Sequence, residues 1–135
     1  MPRYLVVDDS RTSRLLLMGL LRAASREPAD ILEAANLDEA LDAFSRAPPD
    51  VVFLDMQLDL LVTGEPGGST GNVALEAMLR ERPDTRVVLV TALPADHPDV
   101  VDALERGART LLAKPVSRPA LEGALTALQA GGPAS

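Results

Sequence analysis

Val51-Val52-Phe53-Leu54-Asp55 places four apolar residues directly before one carboxylate. The run follows the turn residues Pro48-Pro49-Asp50. A short continuous apolar run after a turn is typical of a strand buried on both faces of a parallel sheet. The carboxyl ends of such strands form the edge at which open α/β sheets bind ligands. We therefore expect Asp55 at a ligand-binding edge.

Three further apolar runs lead into polar residues in the same way. They are Leu5-Val6-Val7 before Asp8-Asp9, Val87-Val88-Leu89-Val90 before Thr91, and Leu111-Leu112-Ala113 before Lys114-Pro115. Lys114 is the single lysine among 13 basic residues, which suggests a site that needs a compact ammonium. Because parallel strands end at one edge, we predict that these polar side chains form one cluster: Asp8, Asp9, Asp55, Thr91 and Lys114.

The composition excludes several classes of function. The chain of 135 residues has the size of one domain. Its net charge of −7 argues against nucleic-acid binding, which needs a basic surface. It has no cysteine and one histidine, His97, which we expect to be a solvated loop residue, so thiolate and histidine-rich metal sites are excluded. No signal peptide or membrane-spanning run is present, so we expect a cytoplasmic protein without membrane contacts.

Apolar runs alternate with amphipathic segments along the whole chain. Strands are predicted at 3–8, 30–34, 51–55, 86–91 and 110–113, and helices at 11–24, 37–46, about 72–82, about 99–106 and 118 to about 130. Ser10, Asn36 and Ser117 are predicted helix N-caps. Five βα units predict an α/β fold, a flavodoxin-like doubly wound parallel sheet of order 2-1-3-4-5 with helices on both faces. Residues 1–130 would form this domain and 131–135 a flexible tail.

The predicted cluster limits the chemistry of the site. Carboxylates about 4 Å apart repel by about 4 kcal/mol per pair at an effective dielectric constant near 20. Such a cluster requires either a bound cation or the protonation of one carboxyl group, and a hard divalent ion is the simpler solution. Mg²⁺ suits a few carboxylates and keeps several waters. A carboxylate beside Mg²⁺ and the ammonium of Lys114 is a poor base, but it can attack phosphorus as a nucleophile. The hydroxyl of Thr91 can donate to a phosphoryl oxygen.

These motifs, in this order and strand context, make the chain resemble the receiver domain of bacterial two-component response regulators. The matching residues are Asp8-Asp9, Asp55, Thr91-Ala92 and Lys114-Pro115. The resemblance implies that Asp55 accepts a phosphoryl group from a sensor histidine kinase or phosphotransfer protein and then switches the binding of a downstream partner. It implies a signalling switch that catalyses only its own phosphorylation and dephosphorylation.

The resemblance also implies a role for each site residue. Asp8 and Asp9 would hold Mg²⁺ together with Asp55 and the backbone carbonyl of Gln57. Lys114 would bind a phosphoryl oxygen, and Thr91 would follow the phosphoryl group as the switch hydroxyl. The peptide bond before Pro115 is often cis in the family. A monomer, or a weak dimer through the fourth helix, fifth strand and fifth helix, is implied.

The chain departs from the family at three places. The glycine that normally follows the acceptor after a short loop matches Gly71, so we predict an insertion within Asp59 to Thr70. Its glycines lack the G-K-[ST] ending of a phosphate-binding loop, which argues against nucleotide binding. Leu111 occupies the position of an aromatic switch residue, so a ring-flip switch is unavailable. Leu93 is apolar beside the site, which predicts a long-lived phosphoryl group.

Two other functions remain open from the residues alone. One is a Mg²⁺-dependent aspartyl-phosphate phosphatase or phosphotransferase, although Asp8-Asp9-Ser10 does not fit the D-x-D-x-[TV] motif of haloacid dehalogenases. The other is an interaction module that is never phosphorylated, against which the complete acidic and lysine set argues. The residues identify neither the cognate kinase nor the downstream target, and they do not indicate whether an output domain follows.

Overall fold

Five parallel strands alternate with five helices in the computed structural model, which describes residues 2–25, 28–56 and 70–131. The elements are β1 (Arg3–Val7), α1 (Arg11–Ala24), β2 (Asp30–Ala34), α2 (Leu37–Arg46), β3 (Val51–Asp55), α3 (Thr70–Glu81), β4 (Arg86–Thr91), α4 (Pro98–Arg106), β5 (Thr110–Ala113) and α5 (Arg118–Gly131). The predicted alternation of strands and helices is confirmed.

The strands form one sheet of order β2-β1-β3-β4-β5, and all neighbouring pairs are parallel. The predicted flavodoxin-like topology is therefore confirmed, with the more polar β2 at an edge. The register pairs Val7 with Leu54 and Thr91 with Ala113. Because the strand ends are in register, the polar residues that follow them emerge at one edge of the sheet.

The central strand β3 is buried along its whole length and anchors a core on each face. On one face, Leu54 packs in the same cluster as Phe44 and Met78. On the other, Phe53 meets the ring of Tyr4 edge-on, with centroids 5.9 Å apart. Burial on both faces explains the uninterrupted apolar sequence of β3 and fixes where Asp55 leaves the sheet.

The three predicted caps hold the starts of α1, α2 and α5. The side-chain oxygens of Ser10, Asn36 and Ser117 each accept a hydrogen bond from the backbone N–H three residues later, at 3.3, 2.9 and 3.3 Å. Glu39 adds a bond at the start of α2 by accepting from the N–H of Ala35, the residue before the cap, at 2.8 Å. These caps confirm the predicted starts of the three helices.

Several predicted boundaries differ from the structure by one or two residues. β1 ends at Val7, because the backbone turns at Asp8 to form the start of the site. α3 runs from Thr70 to Glu81 rather than from 72 to 82. α5 continues to Gly131, one residue into the predicted tail, and residues 132–135 lie outside the described part of the chain. Helices in the described residues are all too short or too polar to cross a membrane.

His97 lies in the loop directly before α4 and is partly exposed, as expected, but it also has a structural role that was not predicted. His97 is the N-cap of α4, and its Nδ1 accepts a hydrogen bond from the N–H of Asp99 at 3.1 Å. Pro98 follows at the first helical position, where the missing N–H costs nothing. A neutral imidazole nitrogen can therefore cap a helix as a serine or asparagine oxygen does.

Candidate functional site

Asp8 is held rigidly where β1 ends. Its backbone N–H donates to the carbonyl of Ala34 at 3.0 Å, which continues the ladder to β2 by one residue. Its Oδ1 accepts from the backbone N–H of Ser10 at 2.8 Å. Asp8 is 5% exposed, and the bond from Ser10 holds its carboxylate within the site.

Arg14 supports this turn from α1. Its Nη1 donates to the carbonyl of Asp8 at 2.8 Å, and its Nε donates to Oε1 of Glu33 on β2 at 2.9 Å. The patterns described above do not predict this role. The spacing of Arg14, Met18 and Leu21 places all three on the face of α1 that packs against the sheet. This spacing could have indicated that Arg14 contacts the sheet.

The three predicted carboxylates lie together. Asp8, Asp9 and Asp55 each offer one oxygen, and these oxygens all lie within 4.8 Å of one another. Asp8 and Asp55 are buried, whereas Asp9 is exposed. Gln57, predicted to offer its backbone carbonyl, lies outside the described residues.

Lys114 brings a positive charge into the acidic cluster. Its Nζ lies 2.8 Å from Oδ2 of Asp8 and 3.4 Å from Oδ2 of Asp55. Its backbone N–H donates to the carbonyl of Thr91 at 2.9 Å, and the Lys114–Pro115 peptide bond is cis. Burial alone lowers the pKa of Lys114, but the hydrogen bond to Asp8 and the charge of Asp55 outweigh it, so the pKa is raised. Lys114 is thus charged at neutral pH.

Three carboxylates and one ammonium leave the cluster with an excess of negative charge. Carboxylate oxygens are hard donors, and their number and spacing suit an ion such as Mg²⁺. One lysine cannot neutralise three acidic groups, so the donor set is compatible with a divalent cation. The predicted Mg²⁺ site thus has a chemically suitable set of side chains.

Thr91 closes β4 beside the cluster and is 1% exposed. Its Oγ1 accepts a hydrogen bond from the backbone N–H of Leu93 at 3.1 Å. The side chain of Leu93 packs against the apolar core on the α3–α4 side of the sheet. The threonine hydroxyl retains its own hydrogen as a donor, which is the capability that a switch hydroxyl needs.

Gly71 joins the start of α3 to the residue after Asp55. Its N–H donates to the carbonyl of Met56 at 3.2 Å. A Cβ at this position would lie 2.6 Å from Cα of Met56 and 2.9 Å from the carbonyl oxygen of Asp55. Only glycine fits such a close backbone approach, which supports the sequence match of Gly71 to the glycine after the acceptor.

An apolar cleft of about 340 Å³ opens next to the acidic cluster. Asp8 and Lys114 line its polar part, and the remaining lining comes mainly from α1 and the segment after β5: Ser13, Leu16, Leu17, Val90, Ala92, Pro115 and Val116. Of the three carboxylates, only that of Asp8 lines this cleft, together with the side chain of Lys114.

Known proteins resemble this chain over nearly its whole length. A family model described as "Response regulator receiver domain" matches residues 4–126, which include every predicted site residue. Chemotaxis protein CheY of Thermotoga maritima is 26% identical over 113 residues, which cover 84% of this chain and 85% of that protein.

A longer relative shares the same region. A protein-glutamate methylesterase/protein-glutamine glutaminase of Rhodospirillum centenum is 33% identical over 125 residues. The match covers 92% of this chain but only 29% of the methylesterase. The chain thus corresponds to less than a third of that relative.

Solved structures agree with the sequence comparisons. The receiver domain of NtrX from Brucella abortus superposes with a TM-score of 0.75 at 28% identity. The match covers 93% of this chain and 98% of that domain. The similarity therefore extends over the whole receiver unit.

Proposed function

Because this chain belongs to the response regulator receiver domain family of two-component signalling, we propose that Asp55 accepts a phosphoryl group. The donor would be the phosphohistidine of a sensor histidine kinase or of a phosphotransfer protein. The observation that carries the proposal is the position of Asp55, a buried carboxylate 3.4 Å from the ammonium of Lys114 within an acidic cluster. An isolated solvated aspartate would have neither partner.

The proposed reaction is a displacement at phosphorus. A carboxylate oxygen of Asp55 attacks the phosphorus, a P–O bond forms, and the P–N bond to the donor imidazole breaks. The electron pair of the broken bond stays on the imidazole nitrogen, which then takes a proton from solvent. The charged Lys114 attracts the transferred oxygens, because its ammonium can turn from Asp55 towards them.

Asp8, Asp9 and Asp55 would hold Mg²⁺, and the carbonyl of Gln57 remains a predicted fourth ligand. When bound, Mg²⁺ would neutralise charge on the carboxylates and on the phosphoryl oxygens. Asp8 suits a supporting role, since its Oδ1 is bound by Ser10 and its Oδ2 by Lys114. Thr91 would donate its hydroxyl hydrogen to the phosphoryl group and so report its presence.

The product would be a signalling state, as the membership of the receiver domain family suggests. We propose that phosphorylation changes the binding of a downstream protein and that the chain acts in the cytoplasm. Catalysis would be confined to its own phosphorylation and to hydrolysis of the aspartyl phosphate. The relative from Rhodospirillum centenum carries a methylesterase name, and that activity is not proposed for this chain.

Acetyl phosphate with Mg²⁺ tests the proposal without a cognate kinase. Intact-mass measurement should show a gain of one phosphoryl group in the wild type and none in Asp55→Asn. Asp42→Asn is the matched control, because Asp42 is an exposed α2 carboxylate paired with Arg46. A wild-type protein that gains no mass would instead favour an unphosphorylated interaction module.

A further inference from the structure

Asn72 occupies a position between the acceptor strand and α4. It directly follows Gly71, whose N–H binds the carbonyl of Met56 at 3.2 Å, one residue after Asp55. The close backbone approach at Gly71 leaves no room for a side chain, so the start of α3 is fixed to the end of β3. A shift of the backbone after Asp55 therefore moves Asn72 directly.

The side chain of Asn72 reaches from α3 to α4. Asn72 is 7% exposed, and its Nδ2 donates to the carbonyl of Asp99 at 3.2 Å and to Oδ2 of Asp102 at 3.3 Å. Both neighbours are acceptors, which fixes the orientation of the amide. The first two turns of α4 are thus held by two long hydrogen bonds from a buried donor, one to Asp99 and one to Asp102.

A second contact between the same helices lies nearer the surface. Nε of Arg106 donates to Asp102 at 2.9 Å, and its Nη1 donates to Glu76 of α3 at 3.0 Å. All three side chains are about half exposed, so these ion pairs contribute little to stability. The buried amide of Asn72 is, by contrast, a polar contact between α3 and α4 that is shielded from solvent.

The amide is only partly satisfied in this arrangement. Within residues 2–25, 28–56 and 70–131, its Oδ1 is buried and has no hydrogen-bond partner. A buried acceptor without a partner raises the free energy of the state that contains it. The arrangement seen here therefore holds α4 with weak bonds and leaves room for a competing one.

The aromatic position on β5 offers no alternative coupling. Leu111 stands there and packs against the core on the α3–α4 side of the sheet. The three aromatic residues of the chain are Tyr4, Phe44 and Phe53, all in the core. A ring cannot carry a signal from Asp55 to α4 along β5.

We propose that Asn72 is a positioning residue that couples the state of Asp55 to helix α4 through its amide. The inference rests on the proposed phosphorylation of Asp55. Addition of a phosphoryl group shifts the backbone at Met56 and Gly71, the amide of Asn72 moves with α3, and its bonds to Asp99 and Asp102 break or re-form. Helix α4 then changes its position or its local stability.

Hydrogen exchange of the peptide 98–106, measured with Mg²⁺ and with or without beryllofluoride, tests this coupling. In the wild type, beryllofluoride should change the exchange of α4. In Asn72→Leu, which keeps the volume and removes the donor, α4 should exchange about tenfold faster before any addition. Beryllofluoride should then change it little further, while acetyl phosphate still adds one phosphoryl group.

A matched pair of surface variants keeps the test valid if Asn72→Leu folds poorly. Asp102 and Glu76 each bind Arg106 at about 3 Å, but only Asp102 also accepts from Asn72. Asp102→Ala should reduce the response of α4 to beryllofluoride, and Glu76→Ala should leave it at the wild-type size. Equal responses in both variants would overturn the coupling.

The outcomes separate this inference from the proposed function. If the wild type takes no phosphoryl group, the proposed function fails and the coupling fails with it. If every variant is phosphorylated and α4 of Asn72→Leu responds as in the wild type, only the coupling is wrong. Unchanged melting temperatures of Asp102→Ala and Glu76→Ala would show that fold stability does not cause the difference.

Discussion

Nζ of Lys114 forms its shorter ion pair with Asp8, at 2.8 Å, and not with the predicted acceptor. The contact from Lys114 to Asp55 is 0.6 Å longer, from 3.4 minus 2.8 Å. Asp8 therefore holds the ammonium of the chain's single lysine within 3.4 Å of Asp55. Such an arrangement keeps the ammonium in place without binding the carboxylate of the proposed acceptor, Asp55, tightly.

The exposed carboxylate of Asp9 is expected to lower stability when Mg²⁺ is absent. Asp9→Asn removes one negative charge near Asp8 and Asp55 and leaves the Lys114 pair intact. We expect a melting temperature about 3–5 °C higher without Mg²⁺, corresponding to about 1 kcal/mol. Added Mg²⁺ should stabilise the wild type more than the variant, because only the wild type keeps three carboxylates.

Thermal melting with and without Mg²⁺ measures both effects. Asp42→Asn is the control, since Asp42 lies on α2 outside the cluster. An Asp9→Asn protein that gains as much stability from Mg²⁺ as the wild type would contradict a metal site at these carboxylates.

The raised pKa of Lys114 predicts a loss of stability at high pH. The pKa of Lys114 is higher in the folded state than its ordinary value of 10.5. The charged lysine therefore makes its full contribution to stability at every pH below about 10.5. That contribution disappears as the pH rises through the higher folded-state pKa. Lys114→Met leaves the carboxylates without their ammonium and should be less stable than the wild type at pH 8.

Urea midpoints between pH 8 and pH 12 measure the difference between the two proteins. We expect the difference to stay constant up to about pH 10.5 and to shrink above it. Because both proteins share every other titrating group, the change in the difference reports Lys114 alone. A constant difference across the whole range would show that the ammonium is not stabilised by Asp8 and Asp55.

Gly71→Ala and Gly19→Ala should have opposite effects on stability. A Cβ at Gly71 meets backbone atoms of Met56 and Asp55, whereas a Cβ at Gly19, within α1, meets nothing within 4 Å. We expect Gly71→Ala to lower the free energy of unfolding by about 1–3 kcal/mol or more. Gly19→Ala should raise it by about 0.5–1 kcal/mol, because alanine favours the helix.

Urea denaturation of the two alanine variants under identical conditions provides the comparison. If Gly71→Ala proved as stable as the wild type, the close approach of α3 to the end of β3 would not exist in solution.

Arg14 is expected to stabilise the turn at Asp8. Arg14→Met removes the hydrogen bonds to the Asp8 carbonyl and to Glu33 and should cost about 1–3 kcal/mol, because the donor is charged and only 13% exposed. Arg46→Met is the control, since Arg46 is 79% exposed and pairs only with Asp42 among the described residues. It should cost less than about 0.5 kcal/mol. Similar losses in both variants, measured by urea denaturation, would refute a special role for Arg14.

His97 should behave as a helix cap that asparagine can replace. His97→Ala removes the acceptor for the N–H of Asp99 and should cost about 1 kcal/mol. His97→Asn supplies an oxygen at the same position and should recover most of the loss. Faster hydrogen exchange at the start of α4 in His97→Ala alone would confirm the cap, and equal exchange in both variants would disprove it.

The fold could be predicted because local patterns and the sheet agree. The apolar run of β3 marks a strand buried on both faces, and the turn residues around it set its ends. Asp55 and Lys114 could be placed together because parallel strands end at a common edge. The caps at Ser10 and Asn36 followed from side chains that bind their own backbone.

The residues that escaped prediction make contacts across the sequence. Asn72 binds Asp99 and Asp102, which lie on the next helix, and no local pattern marks that pairing. The stripe of Met18 and Leu21 directs Arg14 towards the sheet, but it does not identify the carbonyl of Asp8 as the partner, because every residue has a carbonyl. Such contacts depend on how helices settle on the sheet, which the order of apolar and polar residues does not determine.

Met56 and Gly71 lie next to each other, because the N–H of Gly71 donates to the carbonyl of Met56. The segment that connects these two residues therefore begins and ends at the same place. A chain that leaves and returns at one place can be lengthened at a small entropic cost, about 0.6 kcal/mol for each doubling of its length. We therefore expect the fold to tolerate connecting segments of different lengths after Asp55. This junction is a natural position for grafting a foreign peptide into the protein.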